Sequence, residues 1–161
     1  MNAKENVILL VEDEENHANL ILRSFKSYKS GSFNLTVAKT IREARAFLAE
    51  HTPDLVITDH KLPDGKGMEL LPSGRKELSY PIIIMTAFGD VKVAVSSLKA
   101  GALNYFVKST HVFDNMPHVV NQSIREWRYI SECKKMKEAL QKSHEYIKLL
   151  QEVAVKANES E

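Results

Sequence analysis

Four short apolar runs each end in side chains suited to handling a phosphoryl group and a metal ion. Val7–Val11 runs into Glu12 and Asp13, and Leu55–Thr58 runs into Asp59. Ile82–Met85 runs into Thr86, and Tyr105–Val107 runs into Lys108. A fifth run, Leu35–Ala38, ends in Lys39 and Thr40 and adds no obvious chemistry. If the runs are parallel strands, three carboxylates, a hydroxyl and an ammonium converge on one edge of a sheet. That edge is where open α/β sheets bind ligands. Hard carboxylate oxygens suit a small divalent cation, and Lys with Thr suits phosphoryl oxygens.

The segments between the runs must place those ends. The runs are rich in Val, Ile and Leu without strict alternation, as in strands buried on both faces. Helical patterns alternate with them, which predicts a doubly wound α/β fold. His17, Leu20, Ile21 and Ser24–Phe25 recur at helical spacing, and that helix is expected to end near Ser30–Gly31. Thr40-Ile41-Arg42-Glu43 reads as a capping box opening a helix through about Glu50. Pro63-Asp64-Gly65-Lys66-Gly67 is turn chemistry, and the helix expected from Gly67 meets Pro72 and Gly74, so it should be short or kinked. Gly89-Asp90 leads into a helix over Val91–Ala100 that Gly101 ends. Pro117 suits the first turn of a last helix that continues to about Ala157.

Taken together, Val7-Ile8-Leu9-Leu10-Val11-Glu12-Asp13, Leu55-Val56-Ile57-Thr58-Asp59-His60-Lys61-Leu62-Pro63-Asp64-Gly65, Ile84-Met85-Thr86-Ala87 and Gly101-Ala102-Leu103-Asn104-Tyr105-Phe106-Val107-Lys108 resemble the receiver domain of two-component response regulators. The resemblance covers roughly the first 130 residues. It implies a flavodoxin-like five-stranded parallel sheet in the order 2-1-3-4-5 with five helices, and a ligand site between strands 1 and 3. It implies that Asp59 is the phosphoacceptor, attacking a phosphoryl group carried on a histidine of a sensor kinase or phosphotransfer protein. Mg²⁺ would be held by Asp13, Asp59, the backbone carbonyl of Lys61 and, through a water, Glu12. Lys108 would neutralise one phosphoryl oxygen and Thr86 would hydrogen-bond to another. Thr86 and Tyr105 would form a switch that alters the face made by the helix after Thr86, the strand ending at Lys108 and the helix that follows. Such a domain catalyses its own phosphorylation and dephosphorylation and is not a turnover enzyme.

Three departures stand out. Ser109 follows Lys108 where the family usually has Pro, and a trans bond is expected there because a cis non-proline bond costs ~2.5–4 kcal/mol. Glu12 stands where Asp is commoner. Lys61 and Phe88 border the site and should hinder attack by water on an acyl phosphate. A phosphorylation-independent interaction module with a decayed site is the alternative. A stand-alone aspartyl hydrolase is disfavoured because His60-Lys61 follow Asp59 in place of a second acid.

Residues 130–161 differ in character. Cys133, Met136, Leu140, Ser143, Ile147, Leu150 and Ala154 fall on a and d positions of one heptad frame, with Lys and Glu filling most other places. Two readings fit: a solvated helix that frays at its end, or a parallel dimeric coiled coil that makes the protein a homodimer. Trp127-Arg128 and Glu138-Ala139-Leu140 resemble connectors after receivers in multidomain or hybrid sensor histidine kinases. Leu149–Ala154 with Ala157-Asn158-Glu159 resembles the opening helix of a GAF sensor domain. The expected organisation is a receiver over 1–129 and a helical linker over 130–161 leading toward a further domain.

Composition narrows the classes. The 161 residues carry 22 Lys and Arg against 21 Asp and Glu, a net charge of +1 that gives no bias toward nucleic acid or anionic membrane. Lys134-Lys135-Met136-Lys137 is interleaved with Glu132 and Glu138, as on a solvated face. The single Cys133 excludes an internal disulfide framework and fits a reducing compartment. No apolar stretch approaches the ~20 residues that span a bilayer, and a cytoplasmic location is expected. The six His residues lack zinc-ligand spacing.

Overall fold

The computed structural model describes residues 4–73 and 77–160. Five parallel strands form one sheet: β1 (Asn6–Val11), β2 (Phe33–Ala38), β3 (Leu55–Asp59), β4 (Ile82–Thr86) and β5 (Asn104–Val107). Their order is β2-β1-β3-β4-β5. The helices are α1 (Glu15–Ser27), α2 (Ile41–Glu50), α3 (Val91–Lys99) and α4 (Thr110–Asn158). The chain divides into two compact units, Met1–Arg125 and Glu126–Glu161. No helix among the described residues is long and apolar enough to cross a membrane.

The near-continuous apolar strands follow from helices on both sides of the sheet. Ile8, Leu10, Ile57, Ile83 and Met85 pack with Ile21 and Phe25 of α1 and with Phe113, Met116, Val120 and Ile124 of α4. The alternate residues Leu9, Val11, Val56, Ile82 and Ile84 pack with Ile41 and Ala44 of α2 and with Leu62, Leu70 and Leu71. Successive strand side chains point to opposite faces, so a sheet covered twice needs apolar residues at both parities.

Several local expectations need correction. The third helix is short, as expected, but it is a 3₁₀ turn, Gly67–Leu70, with no helix over Leu71–Ser73. Pro72 cannot supply the N–H that a continuing helix needs, while Gly74 lies outside the described residues. Four α-helices and this turn therefore stand where five helices were expected, among the described residues. Helix α1 ends at Ser27, earlier than Ser30–Gly31, and Tyr28 closes it in an extended conformation with its N–H donated to the Phe25 carbonyl. Pro117 lies inside α4 and not in its first turn. Ser109 is the reason: its hydroxyl accepts from the Val112 N–H at 3.2 Å and its carbonyl from the Phe113 N–H at 3.0 Å, which starts the helix before the proline. The proline's missing N–H and steric cost are outweighed by burial of Phe113, Met116 and Val120 on the sheet. The capping of α2 by Thr40, whose hydroxyl accepts from the Glu43 N–H at 3.1 Å, is as the sequence predicts. So is the end of α3 at Gly101, whose φ of +109° and open surroundings suit a left-handed cap.

Candidate functional site

Strand register sets the site before any side chain is considered. Val11 pairs with Thr58, so Glu12 comes level with Asp59 across the β1–β3 pair. Thr86 pairs with Val107, so Lys108 emerges one residue beyond Thr86. The Lys108 N–H donates to the Thr86 carbonyl at 2.7 Å, which fixes the start of the loop. All four strand ends meet on the carboxyl edge, at the crevice where strand order reverses between β1 and β3.

The side chains converge accordingly. Lys108 Nζ donates to Asp59 Oδ2 at 2.6 Å and lies 2.6 Å from Glu12 Oε2 as an ion pair. Glu12, Asp13 and Asp59 each offer an oxygen, and these oxygens lie within 4.8 Å of one another. The Glu12 side chain is fully buried, Lys108 is 6% exposed and Asp59 is 13% exposed. Burial, with a smaller push from Asp59, raises the Glu12 pKa against the pull of Lys108. Burial works to lower the Lys108 pKa, but hydrogen bonds to Asp59 and Glu12 outweigh it and raise the value, so the ammonium persists. One ammonium against three carboxylates leaves excess negative charge, with Glu12 and Asp59 largely withdrawn from water and Asp13 at the exposed rim. A dication held by hard oxygens removes that excess. The residues therefore fit a divalent cation.

The loop after β3 is shaped by close backbone approach. A Cβ on Gly67 would collide with the Asp59 carbonyl oxygen and come within 2.6 Å of Thr58 Oγ1. Gly67 donates its N–H to the His60 carbonyl at 3.0 Å, and His60 donates its own to the Met85 carbonyl at 2.6 Å. His60 is buried, its Nδ1 has no hydrogen-bond partner among the described residues, and burial lowers its pKa. Lys61 is exposed and donates its N–H to Asp59 Oδ1 at 3.4 Å. Thr86 is buried, and its hydroxyl accepts from the Phe88 N–H at 3.4 Å. Tyr105 packs against the core beside Ile84 and Ala102, and its hydroxyl donates to the Phe88 carbonyl at 3.4 Å. Phe88 is 77% exposed.

Three contributors lacked a decisive sequence signal. Asp64 accepts from the Ile41 N–H at 2.8 Å and the Arg42 N–H at 3.0 Å, so the loop after Asp59 caps α2 across 22–23 residues of chain. Those backbone bonds lower its pKa. Ser109 caps α4. His17, one turn beyond Asp13, places Nδ1 3.4 Å from Lys108 Nζ. In the sequence it stood only as part of the helical spacing of the first helix.

Comparison with known proteins agrees with this geometry. The chain is 33% identical over 125 residues to the methanogenesis regulatory protein FilR1 of Methanothrix harundinacea, an alignment covering 75% of this chain and 28% of that protein. It is 29% identical over 142 residues to the regulatory protein AtoC of Escherichia coli, covering 88% of this chain and 30% of that one. The chain thus spans less than a third of either relative. Among solved structures, the receiver domain of Francisella response regulator 1452 matches with a TM-score of 0.65 and 25% identity, covering 76% of this chain and 98% of that one. The receiver domain of a signal transduction histidine kinase from Syntrophus aciditrophicus matches with a TM-score of 0.62 and 25% identity over 75% of this chain and 91% of that one. The response regulator receiver domain model matches residues 8–121, which hold most of β1, all of β2–β5 and every group at the acidic pocket, and this chain belongs to that family.

Proposed function

We propose that Asp59 accepts a phosphoryl group from a phosphohistidine of a sensor kinase or phosphotransfer protein, and that the chain signals through the resulting acyl phosphate. The observation that carries this reading is Lys108 Nζ at 2.6 Å from both Asp59 and Glu12, at the mouth of a three-carboxylate cluster. An Asp59 carboxylate oxygen forms the new bond to phosphorus as the phosphorus–nitrogen bond to the donor histidine breaks. The leaving imidazole keeps the electron pair. Lys108 moves its hydrogen bond from Asp59 to a phosphoryl oxygen, and the Thr86 hydroxyl donates to another. Mg²⁺, held by Asp13, Asp59, the Lys61 carbonyl and, through water, Glu12, would offset the repulsion between carboxylates and phosphate. Movement of Thr86 would free the Phe88 segment, and Tyr105 would follow through its bond to the Phe88 carbonyl.

The finer setting is part of the same proposal. Residues 1–129 act as the receiver and 130–161 as a helical linker within a longer cytoplasmic signalling protein. A hybrid sensor kinase is supported by the kinase receiver among the structural neighbours, and a regulatory protein by the relatives in sequence. The linker helix forms a parallel homodimer. Met136 at 72%, Leu140 at 64%, and Ile147 and Leu150 at 51% exposure fall on one seam and need a partner.

A histidine-phosphorylated phosphotransfer protein carrying a radiolabel tests the reading. Label passes to the wild type and not to Asp59→Asn. Transfer to Asp59→Asn would reject Asp59 as acceptor. Sedimentation tests the linker: the full chain is a dimer and a truncation after Tyr129 is a monomer, whereas a dimer that survives truncation would place the contact on the receiver.

A further inference from the structure

Helix α4 carries Pro117 inside it, close behind the turn that leaves the site. Pro117 has no N–H to give to the Phe113 carbonyl, and its ring crowds the same carbonyl. The helix therefore lacks one rung between these two residues. Residues 110–115 are Thr, His, Val, Phe, Asp and Asn, none of them a strong helix former. What holds them helical is the Ser109 cap and the burial of Phe113 and Met116.

On the two sides of the proline, α4 is tied to different ends of α1. Before it, the Phe113 ring lies against His17, with centroids 5.3 Å apart. Ser109 joins that turn directly to Lys108, whose N–H is held by the Thr86 carbonyl at 2.7 Å. After it, the His118 ring meets Tyr28 edge-on, with centroids 4.8 Å apart. Asn121 Nδ2 donates to the Tyr28 hydroxyl at 3.4 Å. Tyr28 packs in turn against Phe33, the first residue of β2. One attachment thus follows the site, and the other follows the opposite edge of the sheet.

We infer that Pro117 is a hinge in α4: residues 109–116 move with the site, while residues 118–124 stay clasped to α1 through Tyr28. When Lys108 shifts its bond from Asp59 to a phosphoryl oxygen, the turns joined to it follow, and the missing rung takes up the movement. This rests on the phosphoacceptor reading of Asp59 for its trigger, but not for its geometry.

Residue-resolved amide hydrogen exchange on the full chain tests the hinge without phosphorylation. In the wild type, the amides of 113–116 should exchange about tenfold faster than those of 120–124, the effect of about one backbone hydrogen bond on local opening. P117A restores the rung and should close most of that gap. Equal protection in the wild type, or a gap that P117A leaves unchanged and that therefore reports only fraying of the helix end, overturns the proposal. Y28A approaches from the other side and should speed exchange in 120–124 but not in 113–116. Equal loss in both segments would mean one rigid helix and overturn it too. Phosphoramidate with Mg²⁺ then tests the trigger. Backbone NMR shifts should change over 109–116 and fade beyond Pro117; changes undiminished through 118–124 contradict the hinge. If Asp59 takes no phosphoryl group, the functional reading fails alone, and the exchange result still decides the hinge.

Discussion

The receiver unit and the linker helix use apolar residues in opposite ways. In the receiver, Ile8, Leu10, Ile57, Ile83 and Met85 are fully buried between sheet and helices. In residues 126–161, Ile130, Met136, Leu140, Ile147, Leu150 and Val153 are all 44% exposed or more. Both segments carry regular apolar spacing, but only the first satisfies it within the chain. Periodicity reports that a face must be covered; it does not report whether the cover is intramolecular. The charged groups follow the same contrast. Glu12 and Lys108 are buried and act on each other, whereas the Lys and Glu of the linker are solvated and contribute little singly.

Breaking the buried charge pair should have the largest effect. Lys108→Met removes the cation that pairs with Glu12 and Asp59 and that is proposed to neutralise the phosphoryl group. Phosphoryl uptake from phosphoramidate should fall by about 10²–10³-fold, as when a preorganised charge-stabilising donor is lost. Mg²⁺ affinity should rise by at least about tenfold, because the carboxylates lose a neighbouring positive charge. Isothermal titration and intact mass measure the two. A variant that binds Mg²⁺ more weakly would mean that Lys108 organises the cluster and does not compete for it.

Removing an apolar side chain should have different consequences in the two regions. Ile57→Ala should cost the receiver about 2–5 kcal/mol, since it opens a cavity in a closed core. Leu140→Ala should leave receiver unfolding unchanged within about 0.5 kcal/mol while weakening self-association. Chemical denaturation and sedimentation report these separately. Equal losses of receiver stability would erase the distinction between the regions.

The smallest effect belongs to the surface cap. Asp64 has a pKa lowered by the Ile41 and Arg42 N–H groups. A depressed carboxyl pKa gives stability that is present above the ordinary value of about 3.9 and lost as pH falls through the folded value. Asp64→Ala should therefore lower the melting temperature near neutral pH, and the gap from wild type should close below the ordinary carboxylate range. A gap that persists in acid would assign Asp64 a role other than charged cap.

The strand ends were legible because a solvated surface rarely sets Asp, Thr and Lys at the ends of successive apolar runs, and the sheet order followed from the resemblance those runs carry. Pro117 misled because local propensity points to a helix start, whereas Ser109 supplies a cap and Phe113 and Met116 supply burial, and both are properties of the folded chain. Pro72 and Gly74 mark the third helix as short or kinked, but nothing local reduces it to a single 3₁₀ turn. His17 and Asp64 could not be assigned from sequence: their partners lie 91 and 22–23 residues away, and His and Asp are common on solvated surfaces.

If Glu12, Asp13, Asp59 and Lys108 form one metal-dependent phosphoacceptor site, uptake of phosphate must need both the metal ion and Asp59. Intact mass spectrometry after incubation with phosphoramidate, with Mg²⁺ and with excess chelator, tests it most directly. One added phosphoryl group is expected in the presence of Mg²⁺, none with chelator, and none in Asp59→Asn under either condition. Modification that ignores the chelator, or that persists in Asp59→Asn, would contradict it.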